Sequence, residues 1–387
     1  MTGKGTGAIA TIQLSGGAAQ VILQQVFKPA GSKPAEFRPG RILLGTIDDG
    51  DQTIDQVTIG CEAANRFAIN CHGNPLIVEM IMQLLRRCGA ELVTAEQLIA
   101  AVVLSEKPPS TIHVEAKLAL LRARTVSGAK VLANQTETGL FQKATQWLRN
   151  IDILSPGQIA AQAEQTLQES QRARLIIFGC TAVLAGPPNT GKSTLLNYLS
   201  GRQKAIVTNI AGTTRDWVSA QIQIEPLALT LIDTAGLVQD LGTVHADAAD
   251  TAAQAKTRQI VQRADLVLLV LDNNRSSGQL DESLLKIIAG KKVLTILNKS
   301  DLPVRFDPAG LPDDLRDIVL ISAKFGTGIK ELTEKICQVC NVDKFDLKTP
   351  VCFTERQENL LQQLTRAESK QREVSVITEL LKGPLGV

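Results

Sequence analysis

Gly186-Pro187-Pro188-Asn189-Thr190-Gly191-Lys192-Ser193 is the stretch whose reading decides how this chain folds. Its spacing is that of a phosphate-binding loop, and its surroundings suit one. The run Thr181-Ala182-Val183-Leu184-Ala185 before it reads as a buried strand, and Thr194-Leu195-Leu196-Asn197-Tyr198-Leu199 after it reads as an amphipathic helix. The loop therefore delivers a strand into a helix N-terminus, where unpaired N–H groups favour an anion. Gly186 and Gly191 let the backbone curl inward, Lys192 can reach the β- and γ-phosphates, and Ser193 can place a hydroxyl on Mg²⁺. Within this stretch the candidate nucleotide contacts are Gly186, Asn189, Thr190, Gly191, Lys192, Ser193 and Thr194, with Lys192 also a catalytic candidate.

Further segments follow in an order that a lone motif would not have. Gly212-Thr213-Thr214-Arg215-Asp216 lies in a polar stretch between the first helix and the second strand, where Thr214 can close over Mg²⁺ and the γ-phosphate as a switch. Asp233-Thr234-Ala235-Gly236 ends the strand Leu229-Thr230-Leu231-Ile232, which puts Asp233 at the carboxyl edge near the metal and leaves Gly236 to turn its N–H toward the γ-phosphate. Asn298-Lys299-Ser300-Asp301 closes another strand. The Asp301 carboxylate offers two acceptors for the N1–H and 2-amino group of guanine, a donor pair that adenine lacks. Ser322-Ala323-Lys324 closes the last strand, where its backbone can meet the guanine oxygen while Lys299 packs over the base. Together these residues imply an enzyme that binds GTP or GDP with Mg²⁺ and hydrolyses GTP; Thr214 is both a metal and a catalytic candidate.

The rest of the chain bounds that reading. At 387 residues it is long enough for two or three domains. A net charge of +2 excludes a polybasic chain that binds by charge alone, and aromatic residues at 3% argue against broad base-stacking platforms. Seven scattered cysteines, mostly in apolar surroundings, fit a reducing cytosol, and Cys337-Gln338-Val339-Cys340 reads as structural despite its redox-like spacing. No run reaches transmembrane length, so the expectation is a soluble cytoplasmic protein with no membrane partner.

Short strands alternate with helices over residues 1–110: strands at Ala8–Leu14, Arg41–Ile47, Ile54–Gly60 and Phe67–Cys71, helices at Ala18–Val26 and Pro75–Cys88. This is a small α+β domain, closed by the proline-rich Ser105–Ser110. Helices are expected at Thr111–Arg124, Glu137–Arg149 and Pro156–Arg174, and again at Glu355–Ala367 and Glu373–Leu381. The domain plan that follows is 1–110, a helical domain split between 111–173 and 346–387, and a phosphate-loop α/β domain at 174–345 inserted into it.

These motifs resemble the translation-factor-related GTPases and, within them, the tRNA modification GTPase family (TrmE/MnmE). The resemblance is strong over 176–345 and extends to Ala8-Ile9-Ala10-Thr11-Ile12 and Cys71-His72-Gly73-Asn74-Pro75 in the N-terminal domain. It implies an N-terminal domain that binds a folate derivative. It also implies that Asn189 helps hold a K⁺ ion when two GTPase domains face each other, so hydrolysis needs a homodimer instead of a separate activating protein. The implied task is modification of the wobble uridine of tRNA with a flavin-dependent partner protein.

Departures accompany the matches. Leu237, after Asp233-Thr234-Ala235-Gly236, cannot orient water as a glutamine would, a feature the family shares. The family has a water-orienting glutamate farther along this loop; ungapped matching puts His245 there, while anchoring from the following helix puts Asp250 there, and both stay as catalytic candidates. The family's Cys-Ile-Gly-Lys tail has no counterpart in Lys382-Gly383-Pro384-Leu385-Gly386-Val387. That leaves a second expectation beside tRNA modification: a regulatory GTP-binding switch or scaffold without RNA chemistry.

Overall fold

The computed structural model describes residues 7–31, 34–105, 107–202, 219–233, 258–276, 278–280 and 282–385. Contacts divide the chain into two units, Met1–Lys107 and Pro108–Val387. Each is built around its own sheet.

The first unit has strands β1 (Ile9–Ser15), β2 (Phe27–Pro29), β3 (Ile42–Asp49), β4 (Gln52–Ala63) and β5 (Arg66–His72), with helices α1 (Ala19–Val26), α2 (Pro75–Arg87) and α3 (Ala95–Ser105). The sheet order is β1-β5-β4-β3-β2, antiparallel throughout. Ile47, Val57, Ile59, Phe67 and Ile69 alternate with more exposed residues along the strands and meet Leu23, Ile81 and Leu84 from α1 and α2, the period-two pattern of a sheet covered on one face. Asn74 caps α2 by accepting from the Leu76 N–H at 3.0 Å, and Pro75 takes the first helical position, where a missing N–H costs nothing.

In the second unit α4 (Thr111–Leu120), α5 (Val126–Gln135), α6 (Leu140–Arg149) and α7 (Pro156–Phe178) precede a sheet of β6 (Cys180–Ala185), β7 (Ser219–Ile224), β8 (Leu227–Asp233), β9 (Leu266–Asp272), β10 (Val293–Asn298) and β11 (Ile318–Leu320). Helices α8 (Lys192–Arg202), α9 (Glu282–Ile288) and α10 (Ile329–Val339) lie between or after these strands, and α11 (Glu355–Thr365) and α12 (Lys370–Lys382) end the described chain. Sheet order is β11-β10-β9-β6-β8-β7, parallel except for β7, which runs antiparallel to β8 at the edge. The strand β9 is Leu-Val-Leu-Leu-Val-Leu-Asp, buried at every position, as a central parallel strand must be. Leu266, Leu268 and Val270 enter one core, while Val267, Leu269 and Leu271 enter the core on the opposite face. This is a mixed α/β architecture with a sheet flanked by helices.

Helices from both sides of the sheet segment interlock. Glu115 on α4, 5% exposed, accepts from Arg356 Nε and Nη2, each at 2.8 Å, and from Gln357 Nε2 at 2.7 Å. Arg356 Nη1 in turn donates to the Glu379 carbonyl at 2.9 Å, and Nη2 to that of Leu380 at 3.1 Å, near the end of α12. Gln135 on α5 accepts from Leu140 and Val351 N–H groups and donates to the Thr349 carbonyl.

Helix boundaries here differ from those expected. The helix expected over Thr111–Arg124 ends at Leu120, and α5, which contains Ser127-Gly128, was not anticipated. Glycine lowers helix propensity but meets a packing need: a Cβ at Gly128 would fall 2.7 Å from the Ile176 carbonyl oxygen of α7. Thr125 caps the helix, its hydroxyl accepting from the Gly128 N–H at 2.8 Å. All seven cysteines are free thiols. Among the described residues, no helix is long and apolar enough to cross a membrane.

Candidate nucleotide site

The phosphate loop leaves the buried end of β6 and enters α8 at Lys192, so it ends at a helix N-terminus, where the first N–H groups favour an anion. Two glycines are dictated by space. Gly186 has φ 137° and a Cβ there would lie 2.2 Å from the Val270 carbonyl oxygen; Gly191 has φ 95° and a Cβ there would lie 2.2 Å from Asn298 Nδ2. A non-glycine residue, Asn189, also takes a left-handed backbone, at φ 63°.

The charged and hydroxylic side chains converge around that loop. Lys192, 5% exposed, donates from Nζ to the carbonyls of Gly186 at 2.9 Å and Pro187 at 2.8 Å. Burial pushes its ammonium pKa down, opposed by the nearby Asp233 carboxylate. Ser193 donates to Asp233 Oδ2 at 2.6 Å. This places a hydroxyl and a carboxylate side by side, hard oxygen donors of the kind Mg²⁺ takes. Thr190 is fully buried and its hydroxyl donates to the Pro187 carbonyl at 3.1 Å, while Thr194 is exposed in the first turn of α8.

Residues at the other strand ends are tied to this loop. Asn298, 2% exposed at the end of β10, donates from Nδ2 to the Thr190 carbonyl at 2.8 Å and accepts at Oδ1 from the Ala323 N–H at 2.9 Å. One side chain thus joins the phosphate loop to the Ser322-Ala323-Lys324 segment. Lys299, at φ 65°, donates to the Asn189 carbonyl at 2.8 Å. Ser322 is buried and its hydroxyl donates to Oδ1 of the exposed Asp301 at 2.6 Å. Lys324 is exposed with its ammonium 5.0 Å from the centre of the Phe325 ring.

Gly186, Asn189, Thr190, Gly191, Lys192, Ser193, Asp233, Asn298, Lys299, Asp301, Ser322 and Ala323 are therefore brought together in one hydrogen-bonded or closely packed network. Thr214, Gly236, His245 and Asp250 lie outside the described residues. Sequence reasoning missed Asp272, whose Oδ2 accepts from Lys299 Nζ at 2.6 Å. A signal was present: Asp272 closes an apolar strand as Asp233 does.

Comparison with known proteins matches residues 181–299 to the 50S ribosome-binding GTPase family. The chain is 30% identical to the tRNA modification GTPase MnmE of Enterococcus faecalis over 375 residues, covering 87% of this chain and 79% of that one. It is 31% identical to the MnmE of Heliobacterium modesticaldum over 373 residues, again covering 87% and 79%. Among solved structures, the G domain of the T. maritima FeoB iron transporter aligns at 29% identity with a TM-score of 0.30, covering 41% of this chain and 98% of that one. A phosphate loop tied through Asn298 to a second loop, within a chain similar along most of its length to the MnmE proteins, is the equipment of a GTP-binding and GTP-hydrolysing protein. The chain belongs to the MnmE family of tRNA modification GTPases.

Proposed function

We propose that the loops at the carboxyl ends of β6, β8, β10 and β11 bind one guanine nucleotide with Mg²⁺, and that its hydrolysis serves modification of the wobble uridine of tRNA. The observation that carries the nucleotide reading is the double hydrogen bond of Asn298, which ties the phosphate loop to the Ser322–Lys324 segment and supports their acting together on one nucleotide. Ser193 and Asp233, with Thr214, would hold Mg²⁺, which when bound neutralises charge on the β- and γ-phosphates. Lys192 can exchange neutral carbonyl partners for phosphate oxygens, a stronger charge-assisted pairing. Asp301 accepts from the guanine N1–H and 2-amino group, Lys299 packs along the base, and the Ala323 backbone lies near the guanine oxygen. By family resemblance, Gly236 would serve the γ-phosphate, and either His245 or Asp250 would position the attacking water.

Family membership supports the remaining parts of the proposal. A K⁺ ion held by Asn189 would complete the site when two GTPase domains face each other in a homodimer. The N-terminal unit would bind a folate derivative near Cys71–Pro75, where the His72 N–H and ring Nδ1 both meet the Asp55 carboxylate, at 2.8 and 2.7 Å. The helices on either side of the sheet segment pack as one layer, which supports a GTPase domain inserted into a split helical domain. A flavin-dependent partner protein and tRNA complete the set, in the cytoplasm.

A strain lacking the gene, complemented with wild type or with Lys192→Ala, tests the proposal through its modified wobble uridine. Wild type should restore the modification and the variant should not. Restoration by neither, alongside normal GTP hydrolysis by the purified wild type, would overturn the tRNA assignment and leave a GTP-dependent switch.

A further inference from the structure

The strand β9 ends in a carboxylate that the nucleotide machinery described above does not use. Asp272 is 3% exposed, and its backbone is bracketed by one side chain: its N–H donates to Gln279 Oε1 at 2.9 Å and its carbonyl accepts from Gln279 Nε2 at 2.8 Å. The carboxylate oxygens divide their work. Oδ1 accepts from the Asn274 N–H at 2.9 Å, closing the turn after the strand. Oδ2 lies 2.6 Å from Lys299 Nζ, while Arg275 Nε stands farther off at 3.6 Å.

Lys299 is thereby held at two points, by Asp272 and by the Asn189 carbonyl of the phosphate loop. Both Asn189 and Lys299 have left-handed backbones, so two loops in sparsely populated conformations are joined through one ammonium. An ammonium with a single neutral acceptor would leave the four-carbon stem several rotamers; pinning it to a buried carboxylate removes that freedom before a ligand arrives. The stem then offers an ordered apolar strip.

We infer that Asp272 is a positioning residue for the guanine nucleotide, acting through Lys299. The inference rests on the reading that the Lys299 stem packs along the base, and it extends that reading to a residue that touches no nucleotide. Asp272→Asn is the informative variant. Its amide oxygen can still accept from Asn274, but its NH₂ group would face the Lys299 ammonium, so the turn survives and the lysine loses its anchor.

The experiment is a double-mutant cycle on the full chain, with GDP affinity measured by calorimetry for wild type, D272N, K299A and the double variant, and melting temperature followed in parallel. D272N should weaken GDP by about tenfold in the wild-type background and by less than about twofold in the K299A background. A merely structural role for Asp272 would instead lower the melting temperature and weaken GDP equally in both backgrounds, which would overturn the inference. So would unchanged GDP affinity in D272N beside a weakened K299A. Unchanged affinity in K299A itself would remove the base-packing reading first, and the inference with it.

Discussion

Two polar networks in the second unit use buried charge in opposite ways. In the helical layer Glu115 meets Arg356, charge against charge, with Gln357 and Thr354 completing the carboxylate's hydrogen bonds. Along the carboxyl edge of the sheet, Lys192 meets two carbonyls, Asp233 meets a serine hydroxyl, and Asp301 meets another. The first arrangement is closed, because any replacement partner would have to match a bidentate ion pair. The second keeps Lys192, Asp233 and Asp301 beside neutral partners, so on the proposed reading phosphate, Mg²⁺ and the guanine edge would each offer one of them a stronger interaction than the one it gives up. On that reading, fold stability and ligand chemistry fall to different residues.

Breaking the closed network should have the largest effect on folding. Arg356→Ala leaves the Glu115 carboxylate buried without its cation and frees two carbonyls of α12, so it should destabilise the second unit by about 3–5 kcal/mol in chemical denaturation. GDP affinity of the protein that remains folded should stay within about twofold of wild type. A large loss of affinity at unchanged stability would mean the two networks are not separate.

The reverse experiment acts on the open network. Lys192→Ala should reduce GTP turnover about a hundredfold or more, since a cation aimed at the transferred phosphoryl group is lost. Its melting temperature should hardly move, because the ammonium is desolvated and its hydrogen bonds go to two loop carbonyls, with the Asp233 carboxylate only nearby. Ser193→Ala should weaken GTP mainly when Mg²⁺ is present. Loss of GTP affinity independent of Mg²⁺ would count against the metal role of the Ser193–Asp233 pair.

A smaller effect comes from a charge that fits neither pattern. Glu373 on α12 is fully buried, and neither carboxylate oxygen has a hydrogen-bond partner among the described residues. Burial raises its pKa, opposed by Lys370. The folded state therefore favours the protonated acid. Its contribution to stability is present below the ordinary carboxylate range and is lost as pH rises through the raised value. Glu373→Met should stabilise the helical layer by on the order of 1 kcal/mol at neutral pH, with the gain shrinking as the solution is acidified toward pH 4. A gain that grew on acidification would reverse the assigned protonation state.

The same contrast explains what was legible in the sequence. Nucleotide residues sit at strand ends in fixed local spacing, so Gly186–Ser193, Asp233, Asn298–Asp301 and Ser322–Lys324 could be read as motifs, and the strands carrying them announced themselves by apolar runs. The helical layer depends on partners far apart in the chain. Gly128 looks like a helix breaker until the Ile176 carbonyl is placed against it, and Glu115 carries no mark of its pairing with Arg356 across more than two hundred residues. Asp272 carries a local mark, closing an apolar strand as Asp233 does, but its pairing was hidden for a related reason: Lys299 belongs to a motif, and nothing in that motif names the neighbouring strand's last residue. Local spacing reveals chemistry that one ligand gathers, while packing between distant segments shows only in three dimensions.

The central claim is that the strand-end loops recognise guanine, with Asp301 as the element that reads it. Calorimetry of GTP and ATP against wild type and Asp301→Asn tests this most directly. Wild type should bind GTP and exclude ATP, and the variant, which turns an amide toward guanine's donors, should bind GTP about tenfold or more weakly. Equal GTP affinity in the two proteins, or preference of the wild type for ATP, would contradict the account.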